Sequence, residues 1–590
     1  MRRDPPRAFM WASIGMCVVL AVFVVHLRTA VVAGGPVAVP DVPAYLGVAQ
    51  WVGGDGLALG HIPFQPGYGL LIAPLVAVAQ VSLLGTQGEA VHYLALVVNS
   101  LAAVAAVVVA GRLGLVGSRR WWVAGAAGLV AAVHPSLSSA SRIAWPETLL
   151  SLFVLIVALA VAFAVLHAGS AASQRAWARA GLLATLAVAL HARMIVLVVA
   201  VVATALLCGI GRRAWAALGM GLVAGGAATA AALTLTDTWP VERLSEAAQL
   251  DRGAEPIATV SGQLLALGGG TVGLGMIGLV AGLGAAIWLA RSRTAGMPDP
   301  LTAALVCLAI GAFGAVLLGG WTLTGSERAD ALLYGRYVDP WAVPLAVAAL
   351  AWLAARRRSR PDTSSWLGAS AVVAVLACVV VVAVAGNYDA APRRIMTLSF
   401  SPAWTLFDER LSAVAVASLI FTLFGVLLAA VALRRRAVLG VCVAAVLALG
   451  AVATVSNHRH LADVGAVARD QVVSAGTVSD AVDDGLTCLA HDRASVPEYA
   501  LWLYRLELPE IAHERVRLDA GDRPCSELVI AHDDLAQRCT NARHLVDEPA
   551  ASWALWHLPK RTCVGALNMG AQTAGVASHD GSHDSGIRTG

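Results

Sequence analysis

The chain of 590 residues has almost no lysine: Lys560 is the only one, so nearly all of its 41 basic residues are arginine. Charged residues of both signs amount to 13% of the chain, about half the share of an ordinary soluble domain. There is no P-loop and no glycine-rich strand–turn–helix fingerprint, so no nucleotide site is legible. No Cys-x-x-Cys pair occurs among the nine cysteines, which removes the commonest zinc pattern. The net charge of +4 is not a nucleic-acid footprint, because the arginines sit in short clusters between apolar runs rather than along one face.

What fills the chain instead is apolar sequence: 58% of the residues are hydrophobic, and repeated runs are long enough to cross about 30 Å of hydrocarbon. This composition means a polytopic α-helical membrane protein. Arg2, Arg3 and Arg7 precede an apolar run from Phe9 to Val32. That run is long and lacks a convincing small-residue cleavage site, so it reads as a retained anchor rather than a signal peptide.

The arginine clusters then set the threading. They lie at Arg119–Arg120, Arg175/Arg179, Arg212–Arg213, Arg291/Arg293, Arg356–Arg358/Arg360 and Arg434–Arg436. With all of them cytoplasmic, neighbouring clusters must be joined by even numbers of spans. The segment 177–210 as one helix would be about 51 Å long and would leave a cluster outside. Two short spans meeting at His191–Arg193 satisfy the rule. The stretch 68–86 follows Pro66 and carries Gly67, Gly69 and Pro74 around its start, so it reads as re-entrant or interfacial. The expected spans are 9–32, 90–112, 121–137, 147–168, 177–191, 193–210, 214–235, 264–290, 300–322, 339–355, 365–386, 411–433 and 437–456, about thirteen by length. The N-terminus is then cytoplasmic. The outer face receives 33–89, 138–146, 236–263, 323–338, 387–410 and everything after 456.

From Asn457 the composition becomes that of a soluble domain. "LTCLAHD", "RVRLDA", "SELVIAHD" and "WALWHLP" read as strands, and "EYALWLYRLEL" as a helix between the first two, which makes a small extracytoplasmic α/β domain. The expected organisation is a membrane domain over 1–456, the α/β domain over 457–567 and a disordered tail over 568–590. Cys488, Cys525, Cys539 and Cys563 fall in the α/β domain and suit one or two disulfides, with three pairings open.

The polar residues that remain gather on the expected outer face. Asp41 opens "DVPAYLGVAQWV", with Tyr45 one helical turn on, and Asp55 follows in the same loop. A short surface helix with Asp41 near its start fits, and an N-cap role alone would also explain this carboxylate. In "HPSLSSASRIAWPETLL", Glu147 begins a span directly after Pro146, with Arg142 and His134 nearby. The bland alternatives are a first-turn carboxylate and a snorkelling arginine. In "GSERADALLYGRYVDPWAVPL", Arg336, Tyr337 and Asp339 stand at the mouth of a span, with Glu327, Arg328 and Asp330 before them. His191 with Arg193, and the pair Arg393–Arg394, repeat the theme. Outer arginines run against the positive-inside trend unless they face an anion, and a guanidinium fork matches phosphate oxygens. A carboxylate to take a hydroxyl proton and arginines to hold a departing phosphate suit group transfer from a lipid-borne donor.

Four stretches together resemble the GT-C superfamily of glycosyltransferases, close to its polyprenyl-phosphate-dependent protein mannosyltransferases and aminoarabinose transferases. They are "PDVPAYLGVAQWV" with "PFQPGYGLLIAPL", then "HPSLSSASRIAWPETLLSL", "LHARMIVLV" and "YGRYVDPWAVPL". The resemblance implies an inverting transferase of the bacterial plasma membrane that moves a sugar from polyprenyl phosphate to a glycan, lipid or protein hydroxyl, with no cofactor and no indicated metal. It implies that Asp41 and Glu147 are the catalytic acids, with Asp41 as base. It places Arg193, Arg336 and Tyr337 at the donor phosphate, with His61 standing in for a lysine that "PFQPGYG" lacks. Asp55, Tyr45, Arg142 and His191 would line the site. The arginine-for-lysine bias and the abundance of Ala, Val and Gly point to a GC-rich bacterium such as an actinobacterium, where a decaprenyl-phosphate arabinose or mannose would serve as donor. The competing reading is a transporter or lipid flippase, which usually shows repeated broken helices in two halves. No such repeat is visible here.

Overall fold

The computed structural model describes residues 20–28, 42–52, 65–81, 87–236, 255–292, 297–323, 332–355, 362–386, 398, 403, 410–435, 437–508, 511–561 and 563. Asp41, Asp55, His61, Glu327, Arg328, Asp330, Arg393, Arg394 and the expected disordered tail lie outside them. The chain divides into two compact units, Met1–Ala466 and Val467–Gly590.

The first unit is a helical bundle. Among the described residues, eight helices are long and apolar enough to cross a membrane, or nine if the bent pair Trp121–Val133 and Pro135–Arg142 counts as one span. This is a multi-pass membrane protein. The bend of 54° falls at His134–Pro135, where a proline at the first helical position cannot continue the preceding ladder. The expected re-entrant stretch is the helix Gly67–Val81 with Pro74 inside it. The segment 177–210 is two helices, Ala171–Leu190 and Ile195–Leu207, joined by a 3₁₀ turn over Ala192–Met194.

One expected span is corrected. Residues 264–290 are not a single helix but parts of two, Glu255–Gly270 and Leu274–Arg291. The break follows three consecutive glycines and passes through Gly273, whose φ of +78° a side chain disfavours. Thr271 Oγ1 then accepts the Gly275 N–H at 2.7 Å and supplies the bond that the broken helix lacks. The expected span 437–456 also runs further, in the helix Ala437–Asp470, since no proline follows to stop it.

Small residues let the backbones approach one another. A Cβ at Gly67 would lie 2.6 Å from the carbonyl carbon and oxygen of Ala189, so the Gly67–Val81 helix sits against the end of Ala171–Leu190. One at Gly69 would lie 2.6 Å from the Tyr45 carbonyl oxygen. This contact seats Gly67–Val81 on the helix Val42–Val52, where Tyr45 and Tyr68 are buried and meet edge to face. The segments just after Asp41 are therefore fastened to the helix that ends at His191.

The second unit contains one five-stranded sheet in the order β2-β1-β3-β5-β4. Its strands are β1 (Cys488–Asp492), β2 (Ala512–Val516), β3 (Leu528–His532), β4 (Arg543–Asp547) and β5 (Trp553–His557). β1 is parallel to β2 and β3, and β5 is antiparallel to β3 and β4. The helix Glu498–Glu507 connects β1 to β2, as a parallel pair requires. "RVRLDA" is the end of β2 followed by a 3₁₀ turn at Leu518–Ala520, not a full strand. The cysteines form two disulfides, Cys488–Cys525 and Cys539–Cys563.

A buried ion cluster at three helix breaks

Each member of the main polar cluster in the membrane unit sits where a helix begins or a short turn interrupts. Glu147 is the first residue of the helix Glu147–Leu166, at the positive end of its dipole. Arg193 lies on the 3₁₀ turn Ala192–Met194, and Arg336 on the 3₁₀ turn Gly335–Tyr337 that leads into the helix Asp339–Ala355. These breaks converge. Glu147 Oε2 pairs with Arg193 Nη2, and Glu147 Oε1 accepts from Arg336 Nε at 2.6 Å. Glu147, Arg193 and Arg336 are 1%, 4% and 3% exposed.

Aromatic rings flank both guanidinium groups. Arg336 lies over Trp145 at 4.7 Å from the ring centre, and Arg193 over Tyr337 at 5.3 Å. Thr322 Oγ1 donates to the Tyr337 hydroxyl at 2.8 Å. The loop before Glu147 is held by Asn99, whose Nδ2 donates to the Ile143 carbonyl at 2.7 Å and to that of Trp145 at 3.2 Å. Trp145 Nε1 donates in turn to the Ala140 carbonyl at 3.0 Å. His191 is the cap of the Ala192–Met194 turn, its Nδ1 accepting the Arg193 N–H at 3.3 Å.

Both oxygens of Glu147 are therefore engaged by guanidinium groups, which leaves it poorly placed to take a proton and well placed to hold two arginines together. Arg193 keeps Nε buried and without a hydrogen-bond partner. A buried donor of that kind is costly unless something accepts from it, and an oxyanion is the acceptor that a guanidinium suits best. Tyr45 is buried on the Val42–Val52 helix. Arg142, on the adjoining 3₁₀ turn Ala140–Arg142, takes no part in the Glu147 pairing.

Asn99 and Trp145 were not foreseen. The signal for Asn99 was available, since a lone amide inside the apolar run "ALVVNSLAAV" needs a partner. Trp145 gave none, because its role depends on where Arg336 arrives from a distant part of the chain.

No family profile and no curated protein matches the chain. Solved structures do, among them two of one protein. The crystal structure of ArnT from Cupriavidus metallidurans bound to undecaprenyl phosphate is 16% identical, with a TM-score of 0.53, over 94% of this chain and 99% of that one. The apo crystal structure of the same ArnT is 17% identical, with a TM-score of 0.52, over 93% and 98% of the two chains. The likeness spans nearly the whole of both proteins and shows a shared fold.

Proposed function

We propose that the protein is a GT-C glycosyltransferase that moves a sugar from a polyprenyl-phosphate donor to an acceptor hydroxyl on the extracytoplasmic side, with inversion. The observation that carries this reading is the buried pairing of Arg193 and Arg336 on one carboxylate, with an arginine donor left over, in a fold shared with a protein solved with undecaprenyl phosphate bound. In this reading the two guanidinium groups and the Tyr337 hydroxyl receive the donor phosphate. They stabilise the charge that builds on it as the sugar leaves. Glu147 holds the arginines in register. Asp41 takes the proton of the acceptor hydroxyl while that oxygen bonds to the anomeric carbon and the carbon–oxygen bond to phosphate breaks. Polyprenyl phosphate departs as the anion. His61 adds to the donor-phosphate contacts in this scheme, and Asp55 lines the site on the side of the acceptor.

The C-terminal α/β unit contacts the acceptor in this scheme, with the N-terminus cytoplasmic. The test is incubation of the purified protein with a panel of polyprenyl-phosphate sugars and candidate acceptors, with release of free polyprenyl phosphate as the readout. Turnover of one donor is expected, together with its loss in a folded Asp41→Asn variant. Full turnover in Asp41→Asn would remove Asp41 from the reaction, and no release from any donor would remove the transferase reading.

A further inference from the structure

A second group of basic side chains lies beside the helix break at His134–Pro135 and has no role in the Glu147 cluster. Arg142 is 2% exposed, and its Nε and Nη1 are buried without a partner. Among the described residues no carboxylate pairs with it. A guanidinium stays charged at any pH a protein meets, so it cannot escape burial by losing its proton. An unpaired buried cation is among the most costly features a bundle can carry, and within a membrane such a residue marks a ligand or an ion.

The surroundings are polar and basic. Ser138 Oγ lies 2.7 Å from Thr454 Oγ1, and Asn457 Nδ2 donates to Ser139 Oγ at 3.0 Å, so the helix Ala437–Asp470 is bound to the turns that carry Arg142. His458 follows on the same helix, close enough to Arg142 for the two to interact electrostatically, and its Nδ1 is buried without a partner. On the other side His26 Nδ1 bonds Ser141 Oγ at 3.1 Å and also lies within electrostatic reach of Arg142. Among the described residues no acid offsets this group. The helical residues 20–28 expose Leu20, Val24 and Val25, and the helix Ala437–Asp470 exposes Val452 and Val455. In a membrane protein such faces meet lipid, so both of these helices present apolar side chains to the bilayer.

We propose that Arg142 and His458, walled by His26 and Ser141, form an anion site for the phosphate of a lipid headgroup, distinct from the Glu147 cluster. The guanidinium supplies unpaired donors at Nε and Nη1, and His458 supplies a third when its ring is protonated beside the anion. The site needs no sugar transfer and goes beyond the proposed reaction.

The test uses the full chain in maltoside, a detergent without phosphate, with undecaprenyl phosphate as probe and native mass spectrometry as readout. Arg142→Gln is expected to bind one copy fewer than the wild type, whatever number the Glu147 cluster contributes. His458→Ala should weaken that copy about tenfold. Removal of an unpaired buried charge should leave Arg142→Gln melting at or above the wild type in phosphate-free detergent. Competition by inorganic phosphate assigns recognition to the headgroup itself. Competition by phosphatidylglycerol, with inorganic phosphate inert, assigns it to lipid-borne phosphate. Unchanged copy number in Arg142→Gln, or a lower melting point of that variant in phosphate-free detergent, would overturn the site. Absence of sugar release by the wild type, with the copy difference intact, would count only against the transferase reading.

Discussion

In the membrane unit a buried carboxylate, Glu147, is set between Arg193 and Arg336. In the C-terminal unit the fully buried His491 faces His513, with Nε2 3.0 Å from Nδ1, and His513 Nε2 bonds the Leu508 carbonyl at 2.9 Å. The first solution puts opposite charges together. The second keeps its rings neutral. The donor to Leu508 must be the His513 Nε2–H, so His513 Nδ1 accepts from His491 Nε2–H, and His491 Nδ1 is left without a partner. The membrane unit keeps its charges by pairing them, and the proposed donor-phosphate site would need them. The C-terminal unit, stapled by two disulfides, has rings that burial has discharged.

The largest effect expected from breaking this contrast is at Glu147. Glu147→Gln removes the charge and leaves two guanidinium groups facing each other in a dry site. Loss of one partner from a buried ion cluster costs about 3–5 kcal/mol. Sugar release should fall at least about a hundredfold, since both arginines lose their register at the donor phosphate. The melting point in detergent and the rate of polyprenyl phosphate release measure the two effects. A variant that melts and turns over like the wild type would mean that the arginines are held by something else.

How much of this was legible follows from the kind of signal. Glu147 after Pro146, Arg193 between two short apolar helices and Arg336 at a helix mouth could each be picked out, because charge is rare in this chain and its other arginines fall mostly in short clusters between apolar runs. Their direct pairing could not, because it joins breaks far apart in sequence. The split of 264–290 was hidden because glycine and threonine inside an apolar run do not lower its hydropathy enough to mark a break. β4 was missed for a related reason. "RHLVD" is a short, mostly exposed edge strand without clean alternation, so nothing separates it from a polar loop.

The second way to sharpen the contrast is pH. Burial, the facing His513 ring and the nearby Arg505 and Arg515 hold His491 well below the ordinary histidine range. Burial also lowers His513 to about 4, with Arg505 adding to the shift and the Leu508 carbonyl opposing it. Tyr504, tilted against His491 and bonded to Glu548, is pushed well above its usual value by burial and by that carboxylate, and stays neutral as well. In the unfolded chain both histidines titrate near 6.5, so as pH falls below that value the unfolded state takes up protons that the folded unit refuses. Stability is complete above 6.5 and falls toward 4, by about 1.4 kcal/mol per pH unit for each ring that remains neutral. Hydrogen exchange of β1 and β2 in the full-length protein, corrected for intrinsic rates, should show weaker protection at pH 5 than at pH 7. Equal protection at the two values would mean that the rings are charged in the folded unit.

The smallest effect is the most direct check on what decides the worth of an ion pair. His544 Nε2 and Asp547 Oδ1 lie 2.7 Å apart on β4, nearly the same separation as Arg336 Nε and Glu147 Oε1 at 2.6 Å. Distance alone would rank them as equals. The differences are charge, since His544 pairs as a cation only when protonated, and water: the side chains of His544 and Asp547 are 39% and 76% exposed, against 3% and 1% for Arg336 and Glu147. In water the attraction is screened, and both partners are well solvated when apart. Asp547→Asn should therefore change stability by less than about 0.5 kcal/mol. Hydrogen exchange of β4 and β5 at neutral pH reads this directly. If Asp547→Asn cost as much as Glu147→Gln, exclusion of water would not be what separates the two units, and the membrane cluster would need another source of strength.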